Sequence, residues 1–239
     1  VGARCAGSPT AMLLARAGHR VLLVDRATFP SDALSTHVVH PPTAAALERW
    51  GLLDRLARTG CPAIETYSYD FGPFTITGAA RTAGEPPAYC PRRVVLDKLL
   101  VDAAAEAGAE VREGFAAEEI LVEDGRVTGI RGRGRDGVAC TERAPIVVGA
   151  DGWHSRVAAA AGAEKYRERP ALSVAHYSYW SGLPADRLEI HIRPARGFGL
   201  APTHDGLTLI IGGWPVAEPE EDRAGVERRF EEMLTNVPE

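Results

Sequence analysis

The feature that most constrains the fold is a glycine-rich turn at the start of the chain, followed by a helical run and then an apolar run. Residues 2–7 read Gly-Ala-Arg-Cys-Ala-Gly, and residues 21–24 are apolar, which is typical of a buried parallel strand. In such a turn the first glycine makes the tight bend, and the last one lets the helix approach the sheet. Asp25 ends the strand 18 residues after Gly7, close to the spacing of about 20 at which a carboxylate binds a ribose. The pattern therefore predicts a βαβ unit whose helix start faces the pyrophosphate of a dinucleotide.

Two features depart from the usual dinucleotide turn. Arg4 stands where the second glycine of G-x-G-x-x-G is expected, at the point where the backbone approaches the phosphates. We expect its side chain to turn aside or to supply positive charge. Only Val1 precedes the turn, where a strand is expected, so we expect the sequence to be part of a longer protein that needs its other parts to hold a dinucleotide firmly. An ordinary βαβ unit with a glycine turn and no nucleotide is the alternative.

Composition narrows the class of protein. A chain of 239 residues with 45% hydrophobic content can form one large domain or two interleaved ones. The net charge of −5 argues against a general nucleic-acid binder, and no apolar run is long enough to predict a membrane span. The four cysteines lack C-x-x-C pairing, and His37 and His40 lack the helix context of a metal pair. We therefore expect a cytoplasmic protein with no signal peptide, no disulfide and no bound metal.

Two kinds of pattern alternate along the chain. Helical spacing at residues 92–107 and Asp-Gly hairpin turns at 124–125 and 136–137 continue the first unit, which a buried strand at residues 145–150 extends. Residues 65–77 and the aromatic-rich segments after residue 164 alternate as antiparallel strands do. The predicted fold class is α/β: a Rossmann-like, doubly wound, mostly parallel sheet interleaved with an antiparallel β-sheet domain. The predicted ranges are residues 1–64 and 89–163, with a β-meander at 118–143, for the first domain, and residues 65–88 and 164–239 for the second.

Three motifs occur at characteristic separations. The first is the turn at residues 2–7 with Asp25-Arg26, and the second is Arg-Val-Val-Leu-Asp at residues 93–97, similar to an R-x-x-L-D helix start. The third, Val-Val-Gly-Ala-Asp-Gly-Trp-His-Ser-Arg at residues 147–156, is similar to a D-G motif. Together they resemble the FAD-dependent monooxygenases of the para-hydroxybenzoate hydroxylase type, with the related geranylgeranyl reductases and flavin halogenases. The resemblance covers nearly the whole chain, and a further family motif, G-D followed by proline, is expected beyond Glu239.

The resemblance implies an FAD site, with NAD(P)H as the reductant. Its implied cofactor contacts are Gly2, Ala3, Arg4, Cys5, Ala6 and Gly7 at the pyrophosphate, Asp25 and Arg26 at the adenosine ribose, Ser35 and Thr36 near the flavin, and Arg93, Asp151 and Gly152 along the cofactor. A surface arginine at position 93 and a helix N-cap at Asp151 stay open as alternatives. His37 is either a catalytic candidate beside the flavin or a plain loop histidine.

The resemblance also implies a substrate pocket and a reaction. The aromatic sheet would form the pocket wall, through Tyr177, Tyr179, Phe198, Pro202 and Trp214, although aromatic stripes also build cores. In this family FAD is reduced by NAD(P)H and forms a flavin hydroperoxide, which would hydroxylate or epoxidise an aromatic or polyketide-like small molecule. A reductase of isoprenoid double bonds, of the geranylgeranyl type, and a non-catalytic nucleotide-fold remnant are the alternatives. Neither the substrate nor the oligomeric state follows from the sequence.

Overall fold

The computed structural model describes residues 1–216 and 223–235. The described helices are α1 (Gly7–Arg16), α2 (Pro41–Arg49), α3 (Leu53–Ala57), α4 (Arg93–Glu106), α5 (Arg156–Ala160) and α6 (Arg223–Thr235), with a short 3-10 turn at His204–Gly206. The described strands are β1 (Leu22–Asp25), β2 (Ala63–Ile64), β3 (Thr66–Asp70), β4 (Thr75–Ala79), β5 (Ala88–Tyr89), β6 (Glu110–Glu113), β7 (Ala116–Glu123), β8 (Arg126–Arg133), β9 (Ala139–Arg143), β10 (Ser173–Trp180), β11 (Leu188–Arg193), β12 (Arg196–Pro202) and β13 (Thr208–Pro215).

The chain divides into two compact units, each built from two segments. Unit 1 comprises Val1–Leu34 and Arg93–Arg167, and unit 2 comprises Ser35–Arg92 and Glu168–Glu239. Residues 35–64 and 89–92, which the sequence-based boundaries give to the first domain, are grouped with unit 2. The reason is that β2 pairs with β5, and their side chains pack in one core cluster with residues of the larger sheet. The assignment of one domain to the cofactor and the other to the substrate stays a prediction.

Unit 1 combines a parallel strand pair with two packed helices and an antiparallel meander. Strands β1 and β6 pair in parallel, and α1 packs against α4. Leu23 and Val24 are buried, as expected of an apolar strand covered on both faces. Strands β7, β8 and β9 form the meander, whose first turn carries Asp124 and Gly125, both at positive φ, as a two-residue hairpin turn requires.

The strand predicted at residues 145–150 is not formed, and that prediction is wrong. The peptide N–H of Ala150 donates to the carbonyl of Val1, and the terminal amino group of Val1 donates to Val148, each at 2.8 Å. On the side facing β1, the N–H of Gly2 donates to the carbonyl of Val24 at 2.8 Å. Residues 1 and 2 thus lie between β1 and this segment and bond to both, but residues 145–150 form no regular ladder.

Unit 2 is dominated by a six-stranded sheet in the order β10-β13-β12-β11-β3-β4. All neighbouring strands in it run antiparallel except β11 and β3, which are parallel. Because side chains alternate across a strand, each face carries its own core. One cluster contains Ile64, Ala88, Cys90, Leu188, Ala201 and Leu209, and the other contains Phe198, Ile210 and Trp214 with Phe230 and Met233 of α6. The predicted α/β fold class, with parallel and antiparallel sheets, is confirmed.

No helix in the described ranges combines the length and the apolarity needed to cross a bilayer.

Candidate functional site

The glycine turn of unit 1 has the geometry of an anion cradle. Gly2 has φ +95°, and a Cβ added there would lie 2.2 Å from the carbonyl oxygen of Ala150. A Cβ on Gly7 would lie 1.7 Å from the carbonyl oxygen of Gly2. Glycine is therefore required at both positions, so that the start of α1 packs directly against the turn. The first N–H groups of a helix have no partner within it and carry its positive dipole end, which suits a pyrophosphate.

Asp25 fixes the other side of this cradle. Its carboxylate accepts hydrogen bonds from the N–H groups of Ala3 and Ala27, each at 2.7 Å. The carboxylate thereby ties the turn to the end of β1. Because a carboxylate offers about four acceptor sites, it retains capacity for the hydroxyls of a ribose. Arg26 follows at an exposed position.

The second motif lies against the first. Arg93 begins α4, and its guanidinium donates to both carboxylate oxygens of Asp97, at 2.9 and 3.0 Å. Arg4 Nη1 donates to Asp97 Oδ2 at 2.5 Å, and the thiol of Cys5 lies 3.5 Å from Asp97 Oδ1. Sequence reasoning missed Asp97 as a functional candidate. The signal for it was present, since Asp97 stands four residues after Arg93, where helical side chains meet.

The third motif also lies against the glycine turn. The carboxylate of Asp151, however, is hydrogen-bonded to groups of its own segment. Asp151 Oδ1 accepts from the Ser155 hydroxyl at 2.5 Å, and Oδ2 accepts from the N–H groups of Arg156 and Val157 at 2.7 and 3.3 Å. Burial alone raises the pKa of Asp151, but these hydrogen bonds outweigh it and lower the pKa below its ordinary value. Asp151 therefore holds the start of α5. Gly152, at φ +88°, completes the bend, and a cofactor contact from either residue stays a prediction.

In unit 2 the loop that carries Ser35, Thr36 and His37 is tied to β10. Ser35 Oγ accepts from the N–H of His37 at 3.0 Å, and the Thr36 carbonyl accepts from the N–H of Val38 at 2.8 Å. His37 adopts φ +63° and is buried. Its Nε2 lies 2.6 Å from the Tyr179 hydroxyl. His37 is thus a packed, hydrogen-bonded residue rather than a solvent-exposed loop histidine.

His40, on the same loop, forms a second histidine–tyrosine pair with a residue of β3. His40 Nδ1 is 2.7 Å from the Tyr67 hydroxyl, and burial raises the pKa of Tyr67 to about 12. The ring of Tyr177 meets the ring of His37 edge-on at 4.6 Å between centroids. Tyr67, Tyr177 and Tyr179 all pack on the sheet face that carries Leu209. We call these three tyrosines, with His37 and His40, the tyrosine face.

The five residues predicted to line a substrate pocket do not come together. Tyr177 and Tyr179 belong to the tyrosine face. Phe198 and Trp214 pack on the opposite face of the sheet, in the core cluster covered by α6. Pro202 is buried at the end of β12, opposite Thr208. The alternation of aromatic residues along the strands indicated two faces, but it could not indicate which face α6 covers.

Sequence reasoning also missed a buried histidine in the 3-10 turn of unit 2. His204 Nε2 lies 2.8 Å from the Thr59 hydroxyl, and the N–H of Arg92 donates to His204 Nδ1 at 3.2 Å. Burial lowers the pKa of His204 below its ordinary value, and the Arg92 guanidinium adds to that effect against the opposing charge of Asp205. The Arg92 guanidinium lies over the ring of Tyr179, 5.2 Å from its centroid.

No group of three or more His, Cys, Asp or Glu side chains in the described part of the chain is arranged to hold a metal ion.

Comparison with known proteins identifies the family. A family model described as "FAD binding domain" matches residues 1–237. The chain belongs to this FAD-binding family. It is 36% identical over 162 residues to digeranylgeranylglycerophospholipid reductase 1 of Methanopyrus kandleri, covering 68% of this chain and 41% of that protein. It is 30% identical over 167 residues to 6-methylpretetramide 4-monooxygenase of Streptomyces rimosus, covering 68% of this chain and 40% of that protein. The chain thus spans about two fifths of these relatives.

Solved structures show the same fold. The FAD-binding chain matches the myxobacterial chondrochloren halogenase CndH with a TM-score of 0.80 and 27% identity, over 96% of this chain and 56% of that one. It matches the p-nitrophenol 4-monooxygenase PnpA from Pseudomonas putida with a TM-score of 0.81 and 22% identity, over 98% of this chain and 60% of that one. The predicted superfamily, with its FAD-binding fold, is confirmed.

Proposed function

We propose that the protein is an NAD(P)H-dependent flavin monooxygenase that hydroxylates or epoxidises an aromatic or polyketide-like small molecule. The observation that carries this proposal is the tyrosine face, where two buried or half-buried tyrosine hydroxyls are hydrogen-bonded to histidines. The relationship to a 6-methylpretetramide monooxygenase supports the same class of reaction.

Unit 1 supplies the cofactor site in this proposal. The start of α1 and the guanidinium groups of Arg4 and Arg93 hold the pyrophosphate, and Asp25 holds the adenosine ribose. FAD, when bound, would supply the redox chemistry, with NAD(P)H as the reductant and O₂ as the oxidant, so no protein nucleophile is needed. The protein contributes position and electrostatics, through backbone amides that Gly2 and Gly7 allow to lie close to the phosphates.

The tyrosine face supplies recognition of the substrate. Each hydroxyl of Tyr67 and Tyr179 is held by a histidine at 2.7 Å or less, so the phenol oxygens have fixed directions. Aromatic rings with fixed polar tips suit a ring system that carries hydroxyl or carbonyl groups. A pocket for a hydrocarbon chain needs no oriented hydroxyl groups, because an isoprenoid offers them no hydrogen-bond partner.

A reductase of isoprenoid double bonds is the second candidate. The 36% identity to a digeranylgeranylglycerophospholipid reductase favours it. Both candidates use the same FAD site in unit 1, and they differ in what the reduced flavin does. A monooxygenase passes its electrons to O₂, whereas a reductase passes them to a carbon–carbon double bond.

The deciding experiment compares two substrate classes with the full-length protein. We expect NADPH oxidation and O₂ uptake to be stimulated by hydroxylated aromatic or polyketide-like compounds, and one atom of isotopically labelled O₂ to enter the product. Tyr179→Phe should lower the turnover of such a substrate, whereas Tyr166→Phe, at a residue that is 82% exposed, serves as the matched control. Saturation of an isoprenoid substrate without O₂ consumption would replace the proposal with the reductase. No FAD-dependent oxidation of NADH or NADPH would indicate a non-catalytic protein.

A further inference from the structure

A buried carboxylate joins two arginines beside the glycine turn. Asp97 on α4 has no exposed side-chain surface. Arg93 donates to both of its oxygens at 2.9–3.0 Å, and Arg4 donates to Oδ2 at 2.5 Å. A buried carboxylate is costly unless it is paired and hydrogen-bonded. The pairing therefore fixes both guanidinium groups relative to α4, and we call the three residues the Asp97 cluster.

The Asp97 cluster carries a net positive charge, because two guanidinium groups share one carboxylate. The Arg4 side chain is 27% exposed and that of Arg93 is 12% exposed, whereas Asp97 is fully covered. An anion at this place would therefore meet the two cations rather than the carboxylate. Guanidinium groups bind phosphate oxygens through charge-assisted and often bidentate hydrogen bonds.

The turn accepts an arginine at position 4 without backbone strain. Among residues 1–7, all of which the structure describes, only Gly2 has a positive φ. The Arg4 side chain is fixed by further contacts, since Nη2 donates to Ser31 Oγ at 2.9 Å. Its guanidinium also lies over the ring of Phe29, 5.3 Å from the centroid. Position 4 thus holds a directed cation where related turns hold a glycine.

We propose that Asp97 is a positioning residue, which holds Arg4 and Arg93 together as a pair of cations for the FAD pyrophosphate. Arg4 then compensates for the missing second glycine, because a guanidinium reaches the phosphates where the backbone does not approach them as closely. The inference rests on the FAD site proposed for unit 1 and deepens it. It assigns functions to a carboxylate and an arginine that the G-x-G-x-x-G pattern does not contain.

The test separates charge from position. Asp97→Asn removes a negative charge near an anionic ligand, so a purely Coulombic effect would tighten FAD binding. If Asp97 positions the two arginines, the reverse is expected. Asp97→Asn and Arg4→Gln should each weaken FAD binding by about tenfold or more, the scale of a lost hydrogen bond to a charged group. The dissociation constant is measured by flavin fluorescence titration of the full-length protein at several salt concentrations. Arg4→Gln should also reduce the salt dependence of binding, since one screened cation is lost.

The same helix offers matched controls. Lys98 and Asp102 form an i,i+4 pair on α4, with 2.5 Å between Nζ and Oδ1, and both side chains are partly exposed. Lys98→Gln and Asp102→Asn make the same changes of charge outside the cluster, and we expect them to alter FAD affinity by less than about twofold, as for surface pairs. The double variant Arg4→Gln/Asp97→Asn should bind FAD about as well as the weaker single variant, because residues that act as one unit are not additive.

Thermal unfolding of each variant is measured in parallel, because breaking a buried ion pair destabilises the fold. If Asp97→Asn does not fold, the affinity and salt dependence of Arg4→Gln decide the question. FAD binding that is unchanged or tighter in a folded Asp97→Asn or Arg4→Gln variant overturns the inference and leaves the FAD site intact. Absence of FAD binding by the unaltered full-length protein overturns both.

Discussion

Replacing Gly7 with alanine would place a methyl group inside the glycine turn, which we propose binds the FAD pyrophosphate. The added Cβ would lie 1.7 Å from the carbonyl oxygen of Gly2 and 2.9 Å from its carbonyl carbon. Both are backbone atoms, so no side-chain rotation relieves the clash, and α1 must move away from the turn by more than about 1 Å. We expect the free energy of unfolding to fall by about 3 kcal/mol, at the upper end of the usual cost of overpacking.

That loss has two measurable consequences. The melting temperature should fall by roughly 6–12 °C, since about 1 kcal/mol shifts a domain of this size by about 2–4 °C. FAD affinity should fall by at least about tenfold, because the displaced helix start loses charge-assisted hydrogen bonds to the phosphates. Both are read from thermal unfolding and a flavin fluorescence titration of the full-length protein.

The matched control is Gly78→Ala on the exposed strand β4. Gly78 has neither a positive φ nor any atom within 4 Å of an added Cβ, so we expect stability within about 0.5 kcal/mol of the unaltered protein. If Gly7→Ala unfolds at the same temperature as Gly78→Ala and binds FAD equally well, the reasoning about the turn is wrong.

Three further predictions address other parts of the chain. Asp151→Ala should lower stability by about 1 kcal/mol, because the N–H groups of Arg156 and Val157 lose their acceptor. Asp151→Asn should recover part of it, and equal stability of the unaltered protein and both variants in thermal unfolding would refute this function of Asp151. Because burial lowers the pKa of His204, the unfolded chain binds its proton more readily, so stability should fall as pH drops through about 6.5. His204→Gln should flatten that pH dependence of the unfolding free energy. An unchanged pH profile would show that His204 is not the group responsible. Desolvation and the Asp97 carboxylate raise the pKa of Cys5 to about 11, so its alkylation at neutral pH should be slow in a mass-spectrometric time course; labelling as fast as a free thiol would contradict this.

The sequence predicts best where neighbouring residues determine the structure. The turn at residues 2–7, α4 and the Asp124-Gly125 hairpin each depend on local spacing and on backbone conformations that glycine favours. The end of β1 at Asp25 follows for the same reason, because a polar residue closes an apolar run. These local features were sufficient to indicate the FAD-binding family.

Features that depend on partners far along the chain were not predictable in this way. Arg4 and Asp97 are 93 residues apart, and no pattern in either segment indicates the other. Phe198 and Trp214 fit a pocket wall as well as a core, and only the position of α6 assigns them to the core. The segment at residues 145–150 has the composition of a strand, but its hydrogen bonds are made to Val1, which is far from it in the sequence.

Binding of FAD by the glycine turn of unit 1, with Asp25 and the Asp97 cluster, underlies both proposals. The most direct measurement is an equilibrium titration of the full-length protein with FAD, followed by flavin fluorescence and repeated with ADP as a competitor. We expect saturable binding of a single FAD per chain, which ADP displaces because it occupies the same ribose and pyrophosphate contacts. FAD binding that does not saturate, or that ADP leaves unchanged, would contradict it.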